Sequence, residues 1–272
     1  MRRRNGGTLW PAVSVGLASC QFVVALLLMG CGSAVDRTLE QMVDQTYSLD
    51  PTADIRISNR DGSIRIYGWS HPEMKLQAIK RAYTAERLNG ITVNVTAQRN
   101  SVSIETNYPP KKAWPFSDRS GTVDYVLVVP QTAQVSRLEL ENGEVLVEGM
   151  RGANVKGQLG SGRLFAHNSF GNLDLAVTTG NLALIYEWWE NSKFSVKATI
   201  EDGNGLAFIP SEASFHLVAE APNGKIANDF TEKEQRSGEA PNKIDVLVGD
   251  GGSASIEIRA TDGNIKIAEA NP

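Results

Sequence analysis

The side chains that could carry catalysis are few and scattered. The three histidines, His71, His167 and His216, lie far apart and lack the spacing of a metal site, so we expect structural or solvated histidines. A serine nucleophile elbow, a phosphate-binding loop and a zinc-protease helix are all missing from the sequence. Glu187 and Glu190 could form a carboxylate pair of the glycosidase type, but the sequence indicates no partner geometry for it. We therefore predict no catalytic residue, no cofactor and no metal site.

Acidic residues precede or flank glycine at several points, which raises the alternative of calcium ligands. The segments are Asp61-Gly62, Glu201-Asp202-Gly203-Asn204-Gly205, Asp250-Gly251-Gly252 and Asp262-Gly263. None fits the spaced acidic loop of a calcium hand or a glycine–aspartate nonapeptide array. Asp and Asn before Gly are typical of tight turns, and turns are our interpretation.

Two aromatic segments could contact a partner. Tyr186, Trp188 and Trp189 interrupt a strand pattern, so at least one indole should face outward. Trp114 lies in a Pro-rich, basic and aromatic excursion over residues 107–116. Flat aromatic rings suit sugar rings or peptides, and excursions from repeats often form a binding face. The alternative is that these rings only cover the core or cap the repeats.

Composition excludes some partners. The chain has 272 residues with a formal net charge of −4, and three of its basic residues are Arg2, Arg3 and Arg4. The remaining body is therefore more acidic still, which argues against a nucleic-acid partner because phosphate neutralisation needs a basic face. The two cysteines, Cys20 and Cys31, both lie near the amino terminus, so the body has neither a disulfide nor a thiolate metal site.

The amino terminus has the organisation of an export signal. A positive head is followed by an apolar stretch and then by Leu28-Met29-Gly30-Cys31. These four residues resemble the bacterial lipobox, which implies that Cys31 is lipidated and becomes the new amino terminus. The alternative is an uncleaved membrane anchor, because the segment from Trp10 to Gly30 is uncharged. Both interpretations tether the body to the membrane of the cell envelope, and outer-membrane delivery is the default expectation.

The rest of the chain repeats one short pattern. A glycine, often preceded by Asn, Asp or Ser, is followed by apolar residues two and four positions later. This pattern begins at Gly62, Gly121, Gly143, Gly162, Gly180, Gly252 and Gly263. Glycine tolerates the positive φ of a tight corner, and the alternation predicts a strand with one buried face. The corners from Gly143 to Gly224 recur roughly every 20 residues, which favours an all-β solenoid with two strands per rung.

The predicted organisation has three parts. Residues 1–30 are a signal peptide, 31–44 a tether with one helical turn in 37–42, and 45–269 the β-solenoid. A β-sandwich is the alternative fold, since it also uses closely spaced short strands. Two irregularities break the pattern, namely a one-residue slip after Gly203 and Asn228 at an expected apolar position.

The repeat resembles a known bacterial family. The segments 54–69 and 138–149 are similar to the opening and central repeats of the bacterial "putative adhesin" family, a domain of unknown function, and so is Asn223-Gly224-Lys225-Ile226. The resemblance implies an extended single-chain β-solenoid on the envelope. We therefore expect a non-enzymatic, membrane-anchored adhesion or binding scaffold whose partner is a protein or a glycan. The alternative is a carbohydrate-active β-helix protein, either a glycan-binding module or a polysaccharide lyase.

Overall fold

The computed structural model describes residues 38–110, 120–230 and 241–270, and this part of the chain is all-β. It contains fifteen strands, which are hydrogen-bonded into one sheet, and one short helix. In chain order the elements are β1 Leu39–Ser48, β2 Asp54–Trp69, β3 Glu73–Ala82, α1 Ala85–Gly90, β4 Thr92–Gln98, β5 Ser101–Asn107, β6 Thr122–Pro130, β7 Gln134–Glu148, β8 Arg151–His167, β9 Phe170–Ile185, β10 Ser195–Pro210, β11 Phe215–Glu220, β12 Ile226–Asn228, β13 Lys243–Val248, β14 Ala254–Asp262 and β15 Ile265–Ala270. In the described residues, the helix α1 is not long and apolar enough to cross a membrane.

Five long strands form the centre of the sheet. Strands β2, β7, β8, β9 and β10 pair in parallel, each with the next. Their register places Gly62 beside Gly143, Gly143 beside Gly162, Gly162 beside Gly180, and Gly180 beside Gly203. We call this row the glycine column. The two strands predicted for each rung are therefore one continuous strand with a glycine in its middle.

Glycine is required at each position of this column for two reasons. All five residues have φ between +129° and +139°, which L side chains rarely adopt, so the positive φ predicted for Gly143 and Gly180 is confirmed. In addition, a Cβ atom at Gly143, Gly162, Gly180 or Gly203 would overlap the carbonyl oxygen of the preceding glycine in the column. Neighbouring strands can therefore pair at this point only without side chains.

The glycine also shifts the alternation of buried residues by one position. On β7, Leu140 and Val145 are both buried, five residues apart on either side of Gly143. Strict alternation from Leu140 would direct residue 144 inward, whereas Glu144 is half-buried and pairs with Arg163 at 2.8 Å. This shift explains why the sequence shows apolar residues two and four positions after each glycine. The core is the row of such residues from successive strands.

The slip after Gly203 is not a slip of the strand. Gly205 occupies the first buried position after the corner, and Ala207 and Ile209 occupy the next two. Side-chain atoms of Ile200, Ile258 and Ile265 lie 3.0–3.5 Å from where a Cβ of Gly205 would be. Large isoleucines therefore fill the space that this glycine leaves, and the strand keeps its phase.

The order of strands in the sheet departs from their order in the chain at two places. β5 and β6 pair with β2 on the side away from β7. At the other end, β14 and β15 pair with β10, and β11 then pairs with the far side of β14. The glycine column follows the spatial order, since Gly263 packs against Gly203 and Gly224 against Gly263.

Asparagines after the corner glycines link these strands. The backbone N–H of Asn204 donates to Asn181 Oδ1 at 3.2 Å, and that of Asn264 donates to Asn204 Oδ1 at 3.1 Å. The Lys225 N–H completes the row by donating to Asn264 Oδ1 at 3.0 Å. Each side chain thus binds the backbone of the next strand, which reinforces the register at the corner.

Antiparallel strands flank the parallel centre. β3 pairs with β6 and β1 with β3 at one end, and β13 pairs with β11 at the other. β4 pairs with β5 beside the same end as β3. β1 and β13 are the terminal strands of the main path, and they expose Met42 and Leu247 respectively. Bare strand edges of this kind are where other strands can add.

The structure corrects the predicted tether. β1 begins at Leu39, so the helical turn predicted within 37–42 is wrong for the residues from 39 onward, and the strand starts before the predicted boundary at 45. Val43 and Tyr47 are half-buried against the core, which is why this polar segment pairs as a strand. The signal segment, including Cys31, lies outside the described residues.

Candidate functional site

The connection between β9 and β10 carries the predicted aromatic residues. Residues 186–194 leave β9 after Ile185 and are attached to the strands on both sides. The Tyr186 N–H donates to the Phe208 carbonyl at 2.9 Å, and the Glu187 N–H donates to Asn168 Oδ1 at 2.8 Å. The connection is therefore held in one position at the end of the long strands.

Asn168 makes this attachment possible. It is buried and has φ of 45°, the one positive φ among non-glycine residues in the part of the chain that the structure describes. Asn tolerates this conformation better than other L residues because its short side chain can hydrogen-bond locally. Its own N–H donates to the Ile185 carbonyl at 2.9 Å. Sequence reasoning missed Asn168, although an asparagine directly after a strand is an available signal.

A cluster of aromatic rings forms the base of the site. We call it the aromatic corner, and its members are Phe170, Tyr186, Trp188, Trp189 and Phe194. Phe170 lies at its centre, with ring centroids 5.2 Å from Tyr186, 5.7 Å from Phe194 and 6.3 Å from each tryptophan. Tilted and edge-on arrangements at these distances are favourable for aromatic pairs.

Tyr186 and Trp189 belong to the core. Tyr186 is 1% exposed, and its hydroxyl donates to the Ser169 carbonyl at 3.2 Å. Burial raises the pKa of the Tyr186 hydroxyl, because a charged phenolate would be poorly solvated there. Trp189 is half-buried and packs against Phe215 with ring centroids 5.3 Å apart.

Trp188 faces outward. Its side chain is 43% exposed, and its indole N–H donates to Glu190 Oε1 at 3.3 Å. Because the neighbouring Phe170 is buried and fixed, the exposed indole is held on a rigid support. A rigid, exposed aromatic ring loses little conformational entropy on binding, which suits an interface anchor.

Several ionisable side chains lie beside the aromatic corner. Arg151 pairs with Glu190 at 2.8 Å, and its guanidinium lies 5.0 Å from the centroid of the Phe170 ring. His167 lies between two carboxylates, 3.5 Å from Glu148 and 3.4 Å from Glu187. A hydrophobic centre with a charged rim is the usual organisation of a protein interface.

The predicted site residues therefore differ in their exposure to solvent. Trp188 is available to a partner, whereas Tyr186 is buried and its predicted partner contact is wrong, because the ring fills the core. Trp189 faces the core for the larger part of its surface. Trp114, like Cys31, lies outside the described residues.

The positions of Glu187 and Glu190 show how these two carboxylates are engaged. Glu190 is held by Arg151 and Trp188, and Glu187 accepts from Asn168 Nδ2 at 3.3 Å, so both carboxylates are engaged at an open surface. In the described residues, no group of three or more His, Cys, Asp or Glu side chains could hold a metal ion. The arrangement can bind a partner through an aromatic ring and hydrogen bonds.

Comparison with known proteins identifies a solved structure that has a similar fold. No family model matches the chain, and no curated protein matches it either. The crystal structure of a "putative cell adhesion protein" from Clostridium sporogenes is similar over 85% of this chain and 100% of its own, with 14% identity and a TM-score of 0.50. That of a "putative adhesin" from Bacteroides fragilis aligns over 85% of this chain and 97% of its own, with 12% identity and a TM-score of 0.32. The first of these likenesses shows a shared fold.

Proposed function

We propose that the chain is a non-enzymatic, envelope-anchored adhesion or binding scaffold of the "putative adhesin" type. The observation that carries this proposal is Trp188, a large exposed indole held on a buried aromatic base inside a charged rim. An aromatic ring that is already held in place loses little conformational entropy when a partner packs on it, which suits a contact residue. The name of the neighbour from Clostridium sporogenes agrees with an adhesive role.

The scaffold is a β-solenoid in this proposal. In-register parallel pairing of five long strands, with glycine corners at one phase, supports a coil in which each bent strand is part of one rung. A stack of this kind presents long, stiff surfaces, since each strand is fixed by both neighbours. Stiffness is useful in an adhesin because a preorganised surface loses less entropy on binding.

Membrane attachment is the second part of the proposal. Lipidation at Cys31 would tether the body in the cell envelope, with the outer membrane as the default destination. β1 begins at Leu39, so residues 32–38 separate the proposed lipid attachment site from the first strand. Trp114 is proposed as a further partner contact within the same role.

The proposal is tested with the full chain purified in detergent. It is passed over surfaces that carry collagen or denatured collagen, and binding is measured by surface plasmon resonance. The wild type should bind at least one surface, Trp188→Ala should weaken that binding about tenfold, about 1.4 kcal/mol, and Trp188→Phe should restore part of it.

Leu247→Ala is the matched control, because Leu247 is also a large exposed apolar side chain but lies on β13. It should leave binding unchanged. Binding to none of the surfaces, or equal binding by wild type and Trp188→Ala, would overturn the proposal. Hexamers of β-1,4-glucose and β-1,4-glucosamine that are incubated with the chain should keep their mass, and cleavage would favour the carbohydrate-active alternative.

A further inference from the structure

A groove crosses the sheet on the other side of the glycine column from the aromatic corner. It has a volume of about 570 Å³ and is lined by residues of β2, β5, β7, β8, β9 and β10. The lining residues of the long strands lie mostly two and four positions before their corner glycines, where side chains face outward. The groove therefore runs across the strands, in the direction in which they stack.

Two small residues give the groove its depth. Gly160 lies on the floor, where a Cβ atom would overlap the carbonyl oxygen of Glu141, and Ala176 lies on the next strand. Larger outward side chains at these positions would fill the space. The floor is thus built from the same close strand packing that produces the glycine column.

A rigid wall closes one side of the groove. Tyr108, directly after β5, donates from its hydroxyl to Asn59 Oδ1 at 2.7 Å, and the buried Asn59 donates to the Val123 carbonyl at 2.8 Å. Arg60 lies over the Tyr108 ring with its guanidinium carbon 4.0 Å from the centroid, and pairs with Asp61 at 2.7 Å. These contacts fix the wall before any ligand arrives.

The lining is polar and rich in hydrogen-bond acceptors. Glu139, Glu141 and Glu201 contribute carboxylates, while Gln158 and Thr178 can both donate and accept. Arg60 is paired with Asp61, and Glu139 is paired with Arg137 at 2.6 Å, so the excess negative charge of the groove comes from Glu141 and Glu201. A complementary ligand must offer many donors and no negative charge.

We propose that this groove binds a linear β-linked glycan that is neutral or carries amino groups. Sugar hydroxyls and amino groups donate to carboxylates and amides, and each ring of an extended chain advances by roughly one strand spacing, about 4.8 Å. Five long strands would then present side chains to about four successive rings. Acidic glycans would be repelled by Glu141 and Glu201.

An extended peptide fits the groove less well. Side chains on one face of a peptide strand recur about every 6.7 Å, which does not match the strand spacing of the floor. Peptides that bind sheets also add to a bare edge, where backbone groups are free. The groove lies on the face of paired strands, whose backbone groups already bond to each other.

The test is isothermal titration calorimetry on the full chain in detergent. The probes are hexamers of β-1,4-glucosamine, β-1,4-glucose and galacturonic acid, and a decapeptide of alternating lysine and serine. The glucosamine and glucose hexamers should bind, the galacturonic acid hexamer should not, and the peptide should bind at least tenfold more weakly than the glucosamine hexamer.

Two variants locate the site. The double variant Glu141→Gln/Glu201→Gln should weaken binding of the glucosamine hexamer about tenfold, and Ala176→Trp should abolish binding of both hexamers by filling the groove. Glu257→Gln, at an exposed glutamate on β14 outside the groove, should change nothing. Circular dichroism and thermal unfolding establish that each variant is folded.

The inference fails if neither hexamer binds the wild type, if folded Ala176→Trp binds as the wild type does, or if the peptide binds as tightly as the glucosamine hexamer. It does not depend on the role of Trp188. The variant Trp188→Ala should bind the glucosamine hexamer in the groove normally, so failure at one site is distinguishable from failure at the other.

Discussion

Trp188 and Trp189 are neighbours of the same residue type with different surroundings. Trp189 packs against Tyr186, Phe194 and Phe215, whereas Trp188 contacts Phe170 from outside and is 43% exposed. Truncating a large aromatic ring in a core typically costs several kcal/mol, while truncation at a surface costs little.

We therefore predict that Trp189→Ala lowers the free energy of unfolding by about 2–4 kcal/mol. Trp188→Ala should change it by about 0.5 kcal/mol or less. Urea denaturation followed by circular dichroism measures both. Equal losses for the two variants would mean that Trp188 also supports the core, and its role as a partner contact would be withdrawn.

Gly152 and Gly162 both have positive φ, and comparing them separates the cost of backbone strain from the cost of close packing. Gly162 has φ of 136° and is in the glycine column, whereas Gly152 has φ of 63° and no neighbouring atom within 4 Å of where its Cβ would be. Gly152→Ala should cost about 1–2 kcal/mol, since only the left-handed backbone is strained. Gly162→Ala should cost at least about 3 kcal/mol, because strain and overlap with Gly143 add.

Thermal unfolding of the two variants against Lys156→Ala, a change at an exposed strand position, checks this prediction. If Gly162→Ala is no more harmful than Gly152→Ala, the column does not pack as closely as described.

The glycine positions themselves were predictable, because each corner residue leaves a fixed pattern around it. The direction of each indole was not, since Trp188 and Trp189 lie in a connection without periodicity.

At the scale of elements, a buried tyrosine links β5 and β6, which both pair with β2. The Tyr125 hydroxyl on β6 is 2.6 Å from Thr106 Oγ1 on β5. Burial raises the pKa of Tyr125 from 10.0 to about 12, and the bond to Thr106 opposes this only in part.

This shift gives stability a pH dependence. Between pH 10 and about 12 the unfolded chain loses the Tyr125 proton while the folded chain keeps it, so stability falls as pH rises. The loss from this residue alone is about 2–3 kcal/mol. Tyr125→Phe should unfold less steeply with pH over this window in urea titrations, although it is less stable at neutral pH. Parallel slopes for the two proteins would contradict a buried hydroxyl.

The order of elements was the part of the fold that the sequence did not reveal. All units have nearly the same pattern, so nothing in the sequence distinguishes a unit that follows its neighbour from one that packs elsewhere. In the chain, β3, α1 and β4 come between β2 and the strands β5 and β6 that lie before it in the sheet. Likewise, β11, β12 and β13 come between β10 and the strands β14 and β15 that pair with it. The row from Asn181 through Asn204 to Asn264 then favours the observed order, but it is visible only once the strands are placed.

At the scale of the whole molecule, the proposed membrane anchoring depends on the Cys31 thiol, which lies outside the described residues. Cys31→Ala should abolish incorporation of a radiolabelled fatty acid, because the proposed lipid attaches to that sulfur. Cys20→Ala is the matched control and should label normally. Normal labelling and processing of Cys31→Ala would remove the lipoprotein part of the proposal.

One part of the candidate site was predictable from the sequence and another part was not. Aromatic residues in a break of the repeat drew attention to the segment 186–190, in which Trp188 is exposed, but the base beneath Trp188 depends on Phe170 and Asn168 from the preceding turn. The groove was not predicted at all, because its lining residues are mostly ordinary outward positions on six separate strands.

The most direct measurement of the central claim is the retention of cells under flow. Cells that produce the full chain, the Trp188→Ala variant or no protein are passed over the surface that the purified chain binds, at equal amounts of protein in the envelope. The wild type should retain more cells than the strain without the protein, and Trp188→Ala should lose most of that difference while its protein remains folded. Retention by Trp188→Ala equal to that of the wild type would contradict adhesion through the aromatic corner.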